Sequence, residues 1–409
     1  MSRFSRLRHL AVFLIAAAPT PLWAQLTEVE PDSVASVESR DVFDVISKLL
    51  HGERIEPALE GGDVSTGLAW VVLPSFSYNP VYGFAIGGSA SGAGRIDGRP
   101  TSRISMLSLG ANYSTTEQIQ VQARGDLYLN QNEFLLKADC RYLDTSRPTF
   151  GLGPVTPGQE EYPMDYKLVR TYVTGLWSVG GPAYAGIGYH LDAFADIVDE
   201  RAQNGELTPY VVYTGSPASS ALSSGLSMNL LGDGRDNPVN PRRGFYISSS
   251  FRTYLKELGS DENWQEMLAE FRTYPRLPVS SRNRLCFWLQ TWFTFGHAPY
   301  LNLPNIGGDT YGRSGRGYIQ GRIRSADMIY AEAEYRLELM KDGLLGAVGF
   351  LNMTWTTLLG DEVFGKANDG GGVGLRMKFS KRSDTNLTID AGWGEEDSFG
   401  WFIGTTEIF

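Results

Sequence analysis

The chain has 409 residues, a formal net charge of −10 at pH 7 and only two cysteines. The acidic balance argues against nucleic acid as a partner, and Cys140 and Cys286 are too few and too far apart to predict a disulfide framework. No apolar stretch after residue 24 approaches the roughly twenty residues that a transmembrane helix needs.

The first 24 residues form a predicted secretory signal peptide. Three arginines precede an apolar run at 10–18, and the small residue Ala24 follows at the expected cleavage point. The apolar run is too short to span a bilayer. We therefore expect the protein to leave the cytoplasm, with a mature chain that begins near Gln25.

Residues 25–66 form a predicted periplasmic segment that contains one short helix. From Asp41 to His51 apolar residues recur at helical spacing, and Gly52 can end the helix. We expect this helix to pack at the periplasmic mouth of a barrel or in its lumen. Docking to a partner or to the membrane surface is the alternative.

Residues 67–409 alternate between apolar and polar side chains. In 118–129 and 328–339 every second residue is apolar and the others are mostly charged or amide residues, a period of two that predicts strands. High Gly, Tyr and Phe content also favours a barrel with a lipid face and a lumen face. The prediction is an all-β fold, a transmembrane antiparallel β-barrel of about sixteen strands with a short N-terminal helix. The strands are expected near 67–79, 84–94, 103–114, 118–129, 132–144, 166–178, 183–196, 220–233, 244–256, 263–275, 281–295, 326–340, 343–356, 370–381, 385–395 and 399–409.

The connections between these strands predict how the barrel is oriented. Several even-numbered strands are followed by short joints, whereas several odd-numbered strands are followed by the long segments 145–165, 197–219, 296–325 and 357–369. Outer-membrane barrels have short turns on the periplasmic side and long loops outside. We therefore expect a bacterial outer-membrane location, contact with its lipid, and both termini in the periplasm.

The first and last strands must meet for the barrel to close, and we call this junction the seam. Pro74 lies inside the first predicted strand, and proline removes a ladder donor, so a weak seam is expected. The last predicted strand ends on Phe409, which would lie at the seam. Its aromatic face is similar to the C-terminal signal that barrel-assembly machinery reads, although Glu407 stands where a hydrophobic residue is usual.

Two motifs fall in connections rather than in strands. The first is in the turn after the eighth strand, where prolines and glycine predict a rigid connection and acids can pair with arginines; it consists of Asp233, Arg235, Asn237, Pro238, Pro241 and Gly244. A polar periplasmic turn would explain this motif without any function. The second motif is in the sixth outward loop and consists of Gly315, Arg316, Gly317 and Tyr318.

Together with the G-x-G-x-R stretch at 372–376, these motifs resemble the bacterial surface antigen family. This barrel is shared by outer-membrane protein-assembly and two-partner secretion translocases, and the resemblance covers roughly residues 68–409. It implies that the sixth loop folds back into the lumen, where Arg316 contacts polar residues on strands twelve and thirteen. Glu334, which alternation points inward, is the expected acidic partner, and Arg376 is expected on the inner face.

The sequence departs from the family pattern in two places. The F-x-D-x-G motif of strand thirteen aligns with 350–354, so Asn352 stands in place of the acid and Thr354 in place of the glycine. Asn352 can still accept a hydrogen bond. The segment 25–66 is too short for a POTRA domain or for the lipase domain of patatin-linked members, so we expect a short member without POTRA modules.

The resemblance implies a role in inserting or moving proteins or lipids across the outer membrane. The expected partners are client proteins or lipids and barrel-assembly machinery. A passive channel or structural barrel is the alternative. We expect no enzyme activity and no cofactor or metal, because the four histidines lack metal-ligand spacing and the glycines at 370–372 precede a strand, unlike a phosphate cradle.

Overall fold

The computed structural model describes residues 39–42, 44, 45, 48, 68–79, 83–99, 101–217, 219–277, 280–357, 364–380, 384–404 and 407–409. The predicted signal peptide and most of the segment 25–66 lie outside these residues. Within them, no helix is both long and apolar enough to cross a bilayer.

The described residues form one antiparallel sheet in which each strand pairs with the next strand along the chain. A two-residue strand, Arg276–Leu277, pairs only with the strand that follows it. The sixteen longer strands match the number that the sequence predicted. They are β1 (Ala69–Asn79), β2 (Gly83–Gly94), β3 (Ser105–Ser114), β4 (Ile119–Leu129), β5 (Phe134–Thr149), β6 (Tyr162–Gly180), β7 (Ala183–Asp199), β8 (Ala221–Asp233), β9 (Phe245–Tyr254), β10 (Trp264–Thr273), β11 (Ser280–Gly296), β12 (Asp327–Glu338), β13 (Leu345–Thr356), β14 (Asn368–Ser380), β15 (Thr385–Gly394) and β16 (Phe399–Gly404).

The two faces of this sheet differ in the way that the alternation predicted. In β12 the buried residues include Tyr330, Glu332 and Glu334, and they alternate with less buried positions. In β16 the side chains of Trp401 and Ile403 are 66% and 70% exposed. An apolar exposed face and a polar buried face are typical of a barrel whose outside meets lipid.

Contacts between distant strands show that the sheet curls around an interior, which we call the lumen. The Nη2 of Arg141 on β5 donates to the carbonyl of Thr310, 2.5 Å away, in the loop between β11 and β12. On the other end, Arg242 in the β8–β9 turn lies 3.5 Å from Asp384 in the β14–β15 turn. Loops and turns from opposite walls therefore meet inside.

The seam carries no backbone ladder among the described residues. β1 pairs with β2 along its whole length, including Pro74 opposite Gly88, and β16 pairs with β15. The side chain of Pro74 is exposed, on the outer face. The sheet is therefore not closed by pairing between β1 and β16 in this part of the chain.

The prediction that the last strand runs to Phe409 at the seam is wrong. β16 ends at Gly404, and the C-terminal tail, Glu407–Phe409, is buried instead of lipid-facing. The Phe409 ring lies 5.6 Å from the ring of Trp288, on the inner side of β11. The period-two pattern continues through residue 409, but polar and aromatic groups inside the lumen hold the tail away from the wall.

One of the predicted long loops is shorter than expected, and another contains helices. β5 and β6 continue as a ladder from Thr145↔Tyr166 to Thr149↔Tyr162, where the sequence predicted a loop at 145–165. The segment between β7 and β8 contains two short helices, α1 (Glu200–Gln203) and α2 (Pro209–Thr214). In the extended hairpin, Tyr166 packs edge-to-face on Phe194 and so buries aromatic area.

A helix begins after Arg40 and contacts the turn between β12 and β13. The backbone N–H of Asp44 donates to Asp41 Oδ1 at 3.0 Å, and Asp41 N–H donates to Asp44 Oδ2 at 3.1 Å, a reciprocal cap. Arg40 Nε donates to Asp342 Oδ2 at 2.5 Å. Desolvation raises the pKa of Asp342, but the Leu344 N–H and the Arg40 guanidinium outweigh it and hold that pKa below its usual value.

Candidate functional site

The sixth loop, between β11 and β12, is organised by one carboxylate. Asp309 Oδ1 accepts hydrogen bonds from Arg313 N at 2.9 Å and from the N and Oγ of Ser314 at 2.8 and 2.7 Å. Ser314 Oγ also accepts from Gly307 N at 2.9 Å. These bonds fold the loop into a compact turn that presents the next four residues, 315–318, to the wall.

Both glycines of the predicted sixth-loop motif occupy positions that other residues would fill badly. Gly315 and Gly317 have φ of +77° and +109°, a region that favours glycine. A Cβ on Gly315 would lie 1.8 Å from Ile306 Cγ2, and one on Gly317 would lie 2.6 Å from the Trp393 carbonyl. The motif therefore needs glycine on both sides of Arg316 so that the loop can lie against the wall.

Arg316 is fully buried in a cluster of three carboxylates, which we call the acid cluster. Its Nη2 contacts Glu332 and lies 2.6 Å from Glu334 Oε2, while its Nη1 lies 2.9 Å from Asp390 Oδ2. The exposure of Arg316 is 0%, so these charges have little water to screen them. The structure thus brings the predicted pair, Arg316 and Glu334, into contact.

The acid cluster is a good environment for a guanidinium. Desolvation lowers the pKa of Arg316, but the three carboxylates outweigh it and raise that pKa well above its usual value. The guanidinium carbon also lies 3.6 Å from the centroid of the Phe350 ring. Arg316 is therefore charged, and its fork geometry matches carboxylates on two sides.

Asn352 contacts Arg316 through the backbone of the loop rather than through the charged group. Its Nδ2 donates to the Arg316 carbonyl at 2.9 Å, while its buried Oδ1 has no partner among the described residues. The third carboxylate therefore comes from Asp390 on β15, not from strand thirteen as the resemblance implied. Gly374 makes room for it, because a Cβ there would lie 1.8 Å from Asp390 Oδ1.

A flat surface of glycines on β14 and β15 receives the motif. A Cβ on Gly392 would lie 2.7 Å from Gly317 N, and one on Gly394 would lie 2.4 Å from the Tyr318 ring. The Tyr318 hydroxyl donates to the Asp369 carbonyl and accepts from Glu395 N at 3.0 Å. The loop is thus seated on β14 and β15 as well as on β12.

Arg376 lies on the inner face, as predicted, and extends the acid cluster toward the C-terminus. Its Nη1 donates to Asp390 Oδ1 at 2.5 Å, and its Nε donates to Glu407 Oε2 at 2.8 Å. Arg336 on β12 similarly donates to Glu334 Oε1 at 2.7 Å. Arg316, Arg336 and Arg376 therefore share four acidic side chains among them.

The β8–β9 turn motif forms its own ion pair and then crosses beneath the site. Arg235 donates from Nε and Nη2 to the two oxygens of Asp233 at 2.9 and 2.7 Å. Asn237 Oδ1 accepts from Val239 N at 2.8 Å, which fixes the turn around Pro238. Gly244 has φ +97°, and a Cβ there would lie 2.1 Å from the Gly234 carbonyl.

The same turn contacts the inner wall at β12, three strands along the sheet from β9. The carbonyl of Pro241 accepts a hydrogen bond from Arg336 Nη1 at 3.3 Å. Arg336 thus joins the turn to the acid cluster. The motif is more than a polar surface turn, since its second proline is buried against the site.

The histidine of β7 packs in the buried interior and is not part of the acid cluster. His190 is buried, with Nε2 2.8 Å from Ser227 Oγ and its ring 4.5 Å from the Tyr172 ring. In the part of the chain that the structure describes, no group of His, Cys, Asp or Glu residues could hold a metal ion.

Three residues of the site, Glu332, Asp390 and Asp309, were not among those predicted from the sequence. Alternation had already pointed Glu332 inward beside Glu334, and Asp390 lies on the inner face of a predicted strand. Asp390, Gly392 and Gly394 are alternate residues of β15 and so lie on the same face of the strand. The two glycines on that face are a sequence signal for the surface that receives the loop. Asp309 had no such signal, because its role depends on the fold of the loop.

Comparison with known proteins supports the fold. No protein-family model and no curated protein sequence matches the chain. Among solved structures, BamA from Haemophilus ducreyi lacking POTRA domains 1–3 matches with a TM-score of 0.51 at 15% identity, covering 82% of this chain and 70% of that one. CdiB from Escherichia coli matches with 0.53 at 12% identity, covering 82% and 62%. CdiB from Acinetobacter baumannii matches with 0.50 at 10% identity, covering 83% and 59%.

The chain therefore has the fold of the BamA and CdiB barrels, and it spans less than two thirds of the two CdiB chains.

Proposed function

We propose that this chain is a bacterial outer-membrane barrel of the translocation and assembly type, which helps proteins or lipids to cross or enter the outer membrane. The observation that carries the proposal is the sixth-loop Arg316, fully buried among Glu332, Glu334 and Asp390. A buried cation that joins the loop to two strands, β12 and β15, favours a gated lumen over a free pore. The proposed role is not enzymatic.

The sixth loop also crosses the lumen, which argues against the passive channel. Its tip accepts a hydrogen bond from Arg141 on β5, and the Tyr311 ring lies 5.4 Å from the guanidinium carbon of Arg124 on β4. Arg316 anchors the other side on β12 and β15. A solute would have to displace these contacts at one wall or the ion pairs of Arg316 at the other.

The seam supports the same proposal. β1 is an eleven-residue strand that pairs with β2, and among the described residues it has no ladder to β16. An unpaired strand edge can accept another strand. We propose that outer-membrane lipid, unfolded clients and assembly machinery are the partners of this barrel, with both termini in the periplasm.

The test uses the full-length protein refolded into phospholipid vesicles, with an unfolded outer-membrane β-barrel as the client. Client folding is followed by its heat-resistant mobility on gels, and pore behaviour by single-channel recording. We expect faster client folding than in protein-free vesicles, together with low conductance. Arg316→Ala should slow client folding and raise conductance, whereas Arg201→Gln in α1 should change neither.

High, steady conductance of the unmodified protein without any gain in client folding would reject the proposal in favour of a passive channel. Unchanged conductance in Arg316→Ala would show that the sixth loop does not gate the lumen.

A further inference from the structure

The C-terminal tail occupies a formed site inside the barrel. Glu407, Ile408 and Phe409 are 3%, 8% and 2% exposed, although the strand that precedes them lies in the wall. Phe409 and Ile408 belong to a buried cluster with inward-facing residues of β10–β12 and their connection: Tyr274, Cys286, Trp288 and Tyr330. This apolar side of the site receives the side chains of Ile408 and Phe409.

The polar side of the site consists of three arginines, each from a different segment. Arg313 of the sixth loop donates to the carbonyls of Glu407 and Ile408 at 2.8 and 3.0 Å. Arg336 of β12 donates to the Phe409 carbonyl oxygen at 2.5 Å. Arg376 of β14 donates to the Glu407 carboxylate at 2.8 Å.

Asn386 on β15 completes the contacts of the tail. Its Nδ2 donates to Glu407 Oε1 at 2.6 Å, so both oxygens of that carboxylate accept hydrogen bonds from the wall. Glu407 is thus satisfied in the lumen, where a charged side chain on the lipid face would be costly. These contacts explain why an acid is tolerated at position 407.

We propose that this site is a binding site for the chain's own segment 407–409 and that its occupancy holds the sixth loop against the inner wall. The coupling passes through Arg313, because this residue belongs to the loop and makes two of the tail's backbone contacts. Coupling between two sites is reciprocal, so loss of the tail loosens the loop and loss of the loop contact loosens the tail. The proposal goes beyond the proposed function and does not require a client.

The sequence provides a reporter inside the site. Cys286 is fully buried in the cluster that contains Ile408 and Phe409. The other cysteine, Cys140, lies between the inward-facing Asp139 and Arg141 and so belongs to the opposite face of β5. In a full-length Cys140→Ser protein, the rate at which a small neutral maleimide labels Cys286 measures how often the tail leaves the site.

The experiment compares variants of this protein refolded into detergent micelles. Phe409→Ala should raise the labelling rate of Cys286 by about tenfold or more, because opening the site costs less without the ring. Arg313→Gln should raise it as well, since the loop and the tail hold each other. The matched control is Arg201→Gln in α1, which removes a guanidinium that pairs with Glu160 and Glu206 and should leave the rate unchanged.

A peptide added in solution tests whether the site binds a C-terminus. The hexapeptide Gly-Thr-Thr-Glu-Ile-Phe, which repeats residues 404–409, should restore the protection of Cys286 in Phe409→Ala, and the same peptide ending in alanine should not. Millimolar peptide is appropriate, because the tethered tail has an effective concentration of about that order.

Several outcomes would overturn the proposal. Slow labelling in both the parent and Phe409→Ala would show that the tail does not cover the site, and failure of the hexapeptide to protect would show that the tail packs without binding. Fast labelling in Phe409→Ala but not in Arg313→Gln would reject the coupling. If Phe409→Ala loses its heat-resistant mobility, Ile408→Ala takes its place. None of these results depends on client folding, so failure here leaves the proposed function standing.

Discussion

Arg316 Nη1 lies 2.9 Å from Asp390 Oδ2, and this ion pair joins the sixth loop to the fifteenth strand. The family resemblance implied an acid on strand thirteen instead, at the position of Asn352. Position 390 supplies the carboxylate in place of position 352. This is possible because Gly374 leaves space for the Asp390 side chain and Gly392 leaves space for the loop backbone. The third member of the acid cluster thus comes from a different strand than the resemblance implied.

Removal of the Arg316 side chain should strongly destabilise the barrel. Arg316→Ala leaves Glu332 without its cation and Glu334 and Asp390 with fewer partners, so we expect a loss of about 3–5 kcal/mol in the free energy of unfolding. Arg316→Lys keeps the charge but not the forked guanidinium. Its free energy of unfolding should therefore lie between that of Arg316→Ala and that of the parent. Urea unfolding in micelles, followed by intrinsic fluorescence, measures both; equal midpoints for Arg316→Ala and the parent would contradict the buried cluster.

A methyl group on the glycine surface should push the sixth loop away. Gly392→Ala would place a Cβ 2.7 Å from Gly317 N, so we expect overpacking to cost about 1–3 kcal/mol. The matched control is Gly349→Ala on β13, where a Cβ would meet nothing within 4 Å. That substitution should be neutral or slightly stabilising by thermal unfolding, and a similar loss in both variants would reject the packing argument.

Restoration of the family acid at position 352 should be unfavourable in this chain. Asn352→Asp removes the donor to the Arg316 carbonyl and adds a fourth carboxylate near the cluster, so we expect a loss of about 2–4 kcal/mol. Combining it with Asp390→Asn removes one negative charge and should recover part of that loss.

The coupling between these two positions can be measured with a double-mutant cycle. For Asn352→Asp and Asp390→Asn we expect an interaction energy of at least about 1 kcal/mol. Asn229→Asp on β8 serves as the control, since its amide contacts Ser227 and not the acid cluster. The change in the free energy of unfolding caused by Asn229→Asp should simply add to that caused by Asp390→Asn. If the effects of Asn352→Asp and Asp390→Asn were also additive, Asp390 would not replace the missing acid.

Loss of the Asp342 carboxylate should release the start of the N-terminal helix. Because the pKa of Asp342 is held below its usual value, the contact with Arg40 is intact at neutral pH and is lost only as the pH falls through that lowered pKa. At pH 7.5, Asp342→Asn should increase the rate of tryptic cleavage after Arg40 by about threefold, a small effect because Arg40 is partly exposed.

Asp384→Asn, in the neighbouring β14–β15 turn, is the control for this cleavage experiment. Asp384 pairs with Lys378 and Arg242, not with Arg40. An equal increase in cleavage for both variants would mean that the turns open together and that Asp342 has no particular role.

The sequence by itself determined the strands and the faces of the barrel. Alternation at a period of two depends only on which residues meet lipid and which meet the lumen, so it identified Glu334 and Arg376 as inward and placed Arg316 in a loop between strands. The glycines on both sides of Arg316 were also visible in the sequence as part of the motif. Glycine is needed there because the backbone is left-handed and lies close to neighbouring atoms.

Only the tertiary structure decided which charges meet and where the chain leaves the wall. Asp390 is 74 residues from Arg316, and its pairing depends on how far the sixth loop reaches across the lumen, which no local pattern encodes. Phe409 continues the alternation of β16 in sequence, yet Trp288, Arg313 and Arg336 hold the tail inside. In the lumen the tail meets arginine side chains and a buried aromatic surface. These contacts compete with continued strand pairing, and they exist only after the barrel has folded.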